Sequence, residues 1–322
     1  MDETLLTDEI KKEVILNEKA PFPINVELQL TYKCNANCLM CDMNTRDKKE
    51  ELALTKVLSL IDELKRMGTK MLILTGGEPF VRSDIFEIIN YCNKNKILVS
   101  IHTNATLIDN YTIARLTGLK IHTINISLHH PSKKHDELNN LPGSFEKVVN
   151  AINLIKQNFT ATHIKLRCVL SNVNYLDIIN FESLYGKAKF DSLKFIFARP
   201  LKQTKNLGIF LNKQQKIIAL AQIAKLKSSA PFIVKEPKQD FISPTKCLSS
   251  FFRSTITPNG NVIPSCYCED TIMGNINQNS FEEIWLGDKA KKIRTSFCND
   301  CQQSFNQELN KEYVKYYKNE VK

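Results

Sequence analysis

The sequence predicts an α/β protein: a partial (β/α)6 barrel, followed by a small C-terminal β-hairpin/α domain. Stretches with strand periodicity alternate with stretches of helical periodicity from about residue 24 to 210, a pattern typical of a parallel sheet covered by helices. Six such units fit a partial barrel better than a closed eight-stranded one. From residue 247 the pattern changes to a hairpin signal with clustered cysteines.

The first strand alternates apolar and polar residues from Ile24 to Leu30 and leads directly into a cysteine-rich run. A helix follows, with apolar residues at helical spacing from Val57 to Leu64 and Gly68 as its C-terminal stop. The next strand is the apolar run 71–74. Further strands are expected to begin near Ile97, His122, Ile164 and Leu193, and further helices to cover 84–94, 110–117 and 144–157.

The C-terminal hairpin is predicted from apolar segments on both sides of Asn259-Gly260, the dipeptide preferred in type I′ turns. The predicted domain organisation is an N-terminal extension (1–23), the barrel (24–210), a connecting helix and linker (211–246), and an auxiliary domain with a basic C-terminal helix (247–322).

Composition restricts the class of protein. The chain has 322 residues, 43% of them hydrophobic, which is ordinary for a globular protein. No apolar run is long enough to span a membrane and no signal peptide is evident, so we expect a cytoplasmic protein. The net charge of +10 arises from lysines scattered along the chain, which does not favour a nucleic-acid partner.

Ten cysteines in a cytoplasmic chain indicate metal binding more than disulfides. Cys92 and Cys168 stand apart, within apolar patterns, and are expected in the core. Cys34, Cys38 and Cys41 form a first group with the spacing Cys-x3-Cys-x2-Cys. Three thiolates on one loop can bind three corners of a 4Fe-4S cluster and leave the fourth iron open, although a zinc loop or a simple electron-transfer cluster has the same ligands.

Polar residues follow the next strands. Thr75-Gly-Gly-Glu-Pro79 comes after the second strand, where glycines permit close backbone approach, although the run could also be an ordinary turn. Thr103-Asn104 ends the third strand and Ser127 ends the fourth, whose polar residues are assigned to the barrel interior. Arg167 alternates out of phase with its apolar neighbours and should also face inward. His129 and His130 are interpreted as loop residues, not metal ligands.

The second cysteine group lies near the C-terminus and consists of Cys247, Cys266, Cys268, Cys298 and Cys301. Four of these thiolates could close a 4Fe-4S cluster, and a structural zinc ribbon is the alternative.

Together these motifs resemble the radical S-adenosylmethionine (SAM) enzymes with a shortened C-terminal extension of the SPASM or twitch type. The resemblance implies that the open iron of the first cluster binds SAM. It also implies SAM contacts for Gly76, Gly77, Glu78, Pro79, Thr103, Asn104, Ser127, Asn139 and Arg167. Relatives usually have an arginine at the position of Asn139, for which Arg167 is expected to compensate, and a glycine at the position of Ala105.

The extension implies one auxiliary 4Fe-4S cluster, bound by Cys247, Cys298, Cys301 and either Cys266 or Cys268. The implied reaction is hydrogen abstraction by a 5′-deoxyadenosyl radical from a small-molecule or peptide substrate, with net oxidation such as dehydrogenation or cross-linking. An electron donor such as flavodoxin or ferredoxin is implied as well. The alternative is a non-catalytic iron–sulfur or zinc module that binds a partner or nucleic acid. The catalytic acid or base is not identified.

Overall fold

The computed structural model describes residues 20–48, 50–200, 207–237, 245–265, 268 and 270–298. The strands are β1 (Asn25–Thr31), β2 (Met71–Gly76), β3 (Leu98–Thr103), β4 (Thr123–Ser127), β5 (His163–Leu170), β6 (Ser192–Phe197), β7 (Ile233–Lys235), β8 (Thr245–Lys246), β9 (Arg253–Ile256), β10 (Asn261–Ile263), β11 (Gly274–Asn275) and β12 (Phe297–Cys298). The α-helices are α1 (Leu54–Met67), α2 (Ile85–Lys94), α3 (Asn110–Leu116), α4 (Lys134–Asn139), α5 (Ser144–Asn158), α6 (Phe181–Lys187), α7 (Lys213–Ser229), α8 (Phe281–Leu286) and α9 (Asp288–Thr295).

One sheet organises the chain, with strand order β11-β10-β9-β1-β2-β3-β4-β5-β6-β7. The strands from β1 to β7 are parallel, as the alternating pattern predicts, and helices separate most of them along the chain. The α/β class and the six strands of the partial barrel are therefore confirmed.

The sheet has an apolar and a polar face. Leu28, Ile124 and Leu166 belong to the fully buried core that the helices cover. In each strand, the residues that alternate with these apolar positions lie on the opposite face. There, Asn125 donates a hydrogen bond from Nδ2 to Oγ of Ser100 at 3.1 Å. The polar face is the barrel interior, as expected for β4.

Helix α1 ends as predicted. Gly68 has a φ of +103°, a left-handed conformation that glycine adopts without steric cost, and its N–H donates to the carbonyl of Leu64 at 3.1 Å. Cys92 and Cys168 are buried in the core, at 0% and 1% exposure, as their apolar surroundings predict.

Two features of the sheet were not predicted, a strand at one edge and a pairing between distant strands. The segment interpreted as a connection contains β7, which pairs with β6 in parallel and lengthens the sheet. Strand β9, the first strand of the C-terminal hairpin, pairs in parallel with β1. The hairpin thus extends the barrel sheet, and the domain boundaries drawn from the sequence remain predictions.

The predicted hairpin is confirmed, but its turn is not type I′. That turn needs positive φ at both central residues, whereas Gly260 has a φ of +87° and Asn259 is not among the residues with positive φ. Thr257 accepts from the N–H of Gly260 at 2.9 Å and donates its own N–H to Asn261 at 2.9 Å. The loop therefore has three residues, with glycine at the left-handed position.

No helix among the described residues is long and apolar enough to cross a membrane. The extension 1–19, and the basic helix predicted beyond residue 298, lie outside the described residues.

Candidate functional site

The first cysteine group lies on the loop that follows the C-terminal end of β1. Cys34, Cys38 and Cys41 are free and partly exposed. The loop is held by backbone hydrogen bonds on both sides of Cys38: Asn37 donates to the carbonyl of Asn139 at 3.0 Å, and Leu39 to that of Leu138 at 2.9 Å. The C-terminal end of α4 therefore positions the middle cysteine.

The three thiols influence one another electrostatically. Burial raises the pKa of all three, and that of Cys38 reaches about 12 because Cys41 and Cys34 add to the effect of burial. Thiolates so disfavoured need a nearby positive charge to form, and soft sulfur ligands suit iron–sulfur clusters. Three free cysteines of this kind on one loop fit a cluster with one open iron. The described residues contain no group of three His, Cys, Asp or Glu side chains that could converge on a single metal ion.

The two glycines after β2 pack against the backbone that leads into the cysteine loop. A Cβ on Gly76, whose φ is +132°, would lie 2.2 Å from the carbonyl oxygen of Thr31, and one on Gly77 would lie 2.1 Å from that of Lys33. Gly77 donates its N–H to Thr31 at 2.7 Å, and Glu78 donates to Lys33 at 2.9 Å. Only glycine permits this contact, so the run is more than an ordinary turn.

Glu78 joins this loop to the loop after β3. Its carboxylate is fully buried and accepts from Oγ1 of Thr103 at 2.8 Å, from the N–H of Asn104 at 2.7 Å and from the N–H of Phe80 at 3.1 Å. Burial raises the pKa of Glu78 to about 7, although all three hydrogen bonds favour the charged form. Pro79 begins a short 3₁₀ helix, Pro79–Val81, and is buried.

Asn104 extends the connection to the cysteine loop. Its Nδ2 donates to Oδ1 of Asn35 at 2.9 Å and lies 3.8 Å from Sγ of Cys34, while its Oδ1 accepts from the N–H of Thr106 at 2.9 Å. Ala105 has a φ of +60°, which explains why a glycine suits this position in relatives.

Ser127 and Arg167 are neighbours across β4 and β5 and both are partly exposed on the polar face. Arg167 donates from Nη1 to Nδ1 of His102 at 3.2 Å. Burial, and then the charge of Arg167, hold the pKa of His102 well below its usual value, so this ring is neutral and can accept. The expected inward orientation of Arg167 is confirmed.

Asn139 lies next to the cysteine loop. It is fully buried, and its amide contacts Sγ of Cys38 at 3.2 Å and Nε2 of His135 at 2.7 Å. Burial lowers the pKa of His135 to about 3, so its ring is neutral. The sequence did not single out His135, although the spacing of four residues on a helix could have paired it with Asn139.

His129 and His130 do lie in the loop after β4, but both are buried. Nδ1 of His129 accepts from the N–H of Val169 at 3.2 Å, and Nε2 of His130 lies 3.1 Å from a carboxylate oxygen of Asp177. These contacts are structural, and the interpretation that the two histidines are not metal ligands stays a prediction.

The second cysteine group is described only in part. Cys247 and Cys268 are partly exposed, whereas Cys266 and Cys301 lie outside the described residues. The pairing of β8 with β12 places Cys298 opposite Thr245, two residues from Cys247. This pairing places the backbone segments of two predicted ligands, from distant parts of the sequence, next to each other.

A buried arginine accompanies this group. Arg294 is 4% exposed, donates from Nε to the carbonyl of Ser250 at 3.1 Å, and stacks over Trp285 with 4.1 Å between its guanidinium carbon and the ring centroid. Burial lowers the pKa of Arg294 to about 10, and the nearby Cys247 opposes that change. The sequence did not predict this residue.

Comparison with known families agrees with the two cysteine groups. A family model described as the radical SAM superfamily matches residues 28–182. A second, SPASM, described as an iron–sulfur cluster-binding domain, matches residues 247–303. The first match contains the first cysteine group, and the second contains all five cysteines of the second group.

Two curated relatives match about half of the chain. The AdoMet-dependent heme synthase of Oleidesulfovibrio alaskensis is 28% identical over 163 residues, which cover 50% of this chain and 42% of the synthase. The mycofactocin maturase MftC of Mycolicibacterium smegmatis is 32% identical over 158 residues, which cover 48% of this chain and 40% of the maturase. The chain thus spans about two fifths of the length of these relatives.

The fold is shared with a solved structure over nearly the whole chain. Streptococcus suis SuiB, bound to the precursor peptide SuiA, superposes with a TM-score of 0.71 at 17% sequence identity, covering 94% of this chain and 74% of SuiB. At this identity the likeness concerns the fold.

Proposed function

The chain belongs to the radical SAM superfamily and carries a SPASM iron–sulfur domain, and from this premise we propose that it cleaves SAM reductively and abstracts hydrogen from a peptide substrate. The observation that supports this most is the first cysteine group, held between the glycines after β2 and the C-terminal end of α4. A cluster held by the first cysteine group would supply the electron that cleaves SAM to a 5′-deoxyadenosyl radical, and one held by the second group would take up the electron that a substrate radical releases.

Cys34, Cys38 and Cys41 are the proposed ligands of the first cluster. Around it, Gly76 and Gly77 present backbone groups to the amino group of SAM, and Pro79 fixes the turn that follows them. Glu78 accepts from Thr103 and Asn104 and keeps one acceptor position on Oε2, so its proposed role is to hold these two loops together and to accept from the amino group of SAM.

The carboxylate of SAM is proposed to bind on the polar face at Ser127 and Arg167. Arg167 has donors beyond the one that His102 accepts, because a guanidinium group carries five N–H bonds. Asn139 occupies the place of the usual arginine, but its amide is already engaged by Cys38 and His135. Arg167 is therefore proposed to bind the carboxylate of SAM in place of Asn139.

The auxiliary site is proposed to hold one 4Fe-4S cluster, with Cys247, Cys298, Cys301 and either Cys266 or Cys268 as ligands. The β8–β12 pair supports this by bringing the strand of Cys298 next to Cys247. The buried cation of Arg294 near Cys247 would offset the negative charge of four thiolates.

The peptide substrate is supported by the similarity to a maturase and by the fold shared with SuiB, which was solved with its precursor peptide. A peptide encoded beside the gene should increase 5′-deoxyadenosine formation above the rate with SAM alone. Stimulation by a small molecule and not by the peptide would favour the small-molecule alternative. The electron donor is proposed to be a flavodoxin or ferredoxin, whose acidic surface would suit a chain with a net charge of +10.

The decisive experiment is anaerobic reconstitution, a count of iron and sulfide, and an assay of 5′-deoxyadenosine after addition of SAM and dithionite. We expect about eight irons per chain, in two four-iron clusters, and deoxyadenosine formation that is lost in Cys38→Ala. Zinc in place of iron, or iron without SAM cleavage, would instead support a non-catalytic binding module.

A further inference from the structure

A series of polar contacts connects the loop after β4 to the middle cysteine of the first group. His135 and Asn139 lie four residues apart on α4, so their side chains share one face, and both are fully buried. The N–H of His129 donates to Nδ1 of His135 at 3.1 Å. Nε2 of His135 lies 2.7 Å from Nδ2 of Asn139, and Oδ1 of Asn139 lies 3.2 Å from Sγ of Cys38.

The histidine determines which way the amide of Asn139 must point. Since Nδ1 of His135 accepts a backbone N–H, it carries no proton, and the proton of the neutral ring is on Nε2. Nε2 is then a donor, and its partner must be the amide oxygen. The nitrogen and oxygen of a side-chain amide have nearly the same shape, and their positions are assigned from the hydrogen-bond network. Here the network places Oδ1 of Asn139 toward His135 and Nδ2 toward Cys38.

The cysteine leads independently to the same orientation. A cysteine that binds a cluster does so as a thiolate, which has no S–H to donate. An amide oxygen 3.2 Å from that sulfur would place two acceptors against each other, whereas an amide nitrogen would donate to it.

We infer that Asn139 donates an N–H···S hydrogen bond to Cys38, and that His135 holds its amide in this orientation. This inference rests on the proposed function, in which Cys38 binds the cluster. Hydrogen bonds to cysteine sulfur favour the more negative, reduced state and so raise the reduction potential of an iron–sulfur cluster. Asn139 is thus a positioning residue whose effect is on the potential and not on the number of ligands.

The test uses variants of the reconstituted full chain. Asn139→Asp keeps the shape and can still accept from His135, but it has no N–H to donate and adds a negative charge. Asn139→Leu removes the donor without adding charge. Asn140→Asp is the matched control, since Asn140 is exposed, adjacent in sequence, and carries the same charge change.

The readout is the midpoint potential from a redox titration followed by electron paramagnetic resonance, using the signal that Cys38→Ala lacks. We expect the potential to become more negative in Asn139→Leu and still more negative in Asn139→Asp, at unchanged iron content, and to stay at the wild-type value in Asn140→Asp. Equal potentials in all four proteins, with the cluster bound, would overturn the inference and leave the proposed function intact.

A second readout does not depend on the cluster. The ¹⁵N NMR spectrum of the full chain labelled at histidine reports the tautomer of each ring. The signal that is absent in His135→Gln belongs to His135, and it should show an unprotonated Nδ1 and a protonated Nε2. The reverse tautomer would overturn the inference, because the amide nitrogen would then face His135. If the wild-type chain binds no iron, the proposed function fails while this spectrum still decides the orientation of the amide.

Discussion

Substitution of Gly77 by alanine should displace the loop of the first cysteine group, although it replaces none of the three cysteines. The added Cβ would lie 2.1 Å from the carbonyl oxygen of Lys33 and 2.7 Å from its carbonyl carbon, so the two segments must separate by about 1 Å to reach ordinary contact. Overpacking of this kind costs about 1–3 kcal/mol. The shift also strains the bonds from Gly77 to Thr31 and from Glu78 to Lys33, worth about 1 kcal/mol each.

The sum is about 3–5 kcal/mol, a large part of the stability of a typical protein. Thermal unfolding and iron content of the reconstituted protein would measure it. Gly186→Ala is the control, because Gly186 lies within α6 with nothing within 4 Å of its added Cβ, and alanine there should stabilise by about 0.5–1 kcal/mol. A Gly77→Ala protein that unfolds at the wild-type temperature with full iron would refute the reasoning.

Three further predictions follow from other parts of the chain. Cys38→Ala should abolish SAM cleavage and keep the auxiliary iron, whereas Cys301→Ala should lose that iron and keep SAM cleavage; equal iron loss in both would count against two separate sites. Folded Glu78 holds its proton up to about pH 7, whereas the unfolded chain releases it near pH 4.5. The free energy of unfolding should therefore fall by about 3 kcal/mol as the pH rises between these values. Glu78→Gln should abolish this pH dependence, as denaturant titrations at several pH values would show. Arg294→Lys keeps the charge but loses the stacking on Trp285, so it should lower the free energy of unfolding by about 1–2 kcal/mol in the same titrations. The control is Lys291→Arg at an exposed position of α9, which should change this free energy little.

The sequence predicted most of the barrel because its signals are local. Period-two alternation, short apolar runs and helical spacing depend only on near neighbours, and the predictions of strands β1 to β6 rest on signals of this kind. The first cysteine group could be recognised in the same way, since its three cysteines lie within eight residues of one another. Cys92 and Cys168 were assigned correctly to the core for the same reason.

The features that the sequence did not reveal depend on contacts between distant segments. The pairing of β9 with β1 joins residues more than two hundred positions apart, and β7 has only three residues, too few to show a period. His135 and Arg294 are ordinary polar residues in helical sequences. His135 contacts Asn139, which in turn contacts Cys38, and Arg294 is buried near Cys247, so their roles depend on cysteines in distant parts of the sequence.

The parallel pairing of β9 with β1 determines how far apart the two cysteine groups lie. Cys34 follows the C-terminal end of β1, whereas Cys247 precedes β9, whose first residue, Arg253, pairs with Asn25 at the N-terminal end of β1. The seven residues of β1 span about 20 Å, so Cys34 and Cys247 lie near opposite ends of this strand. A substrate bound near Cys34 at the strands' C-terminal ends is therefore separated from Cys247 by most of the depth of the barrel. This distance is the physical reason to expect that loss of the auxiliary iron leaves SAM cleavage in place and acts on the later oxidation of the substrate.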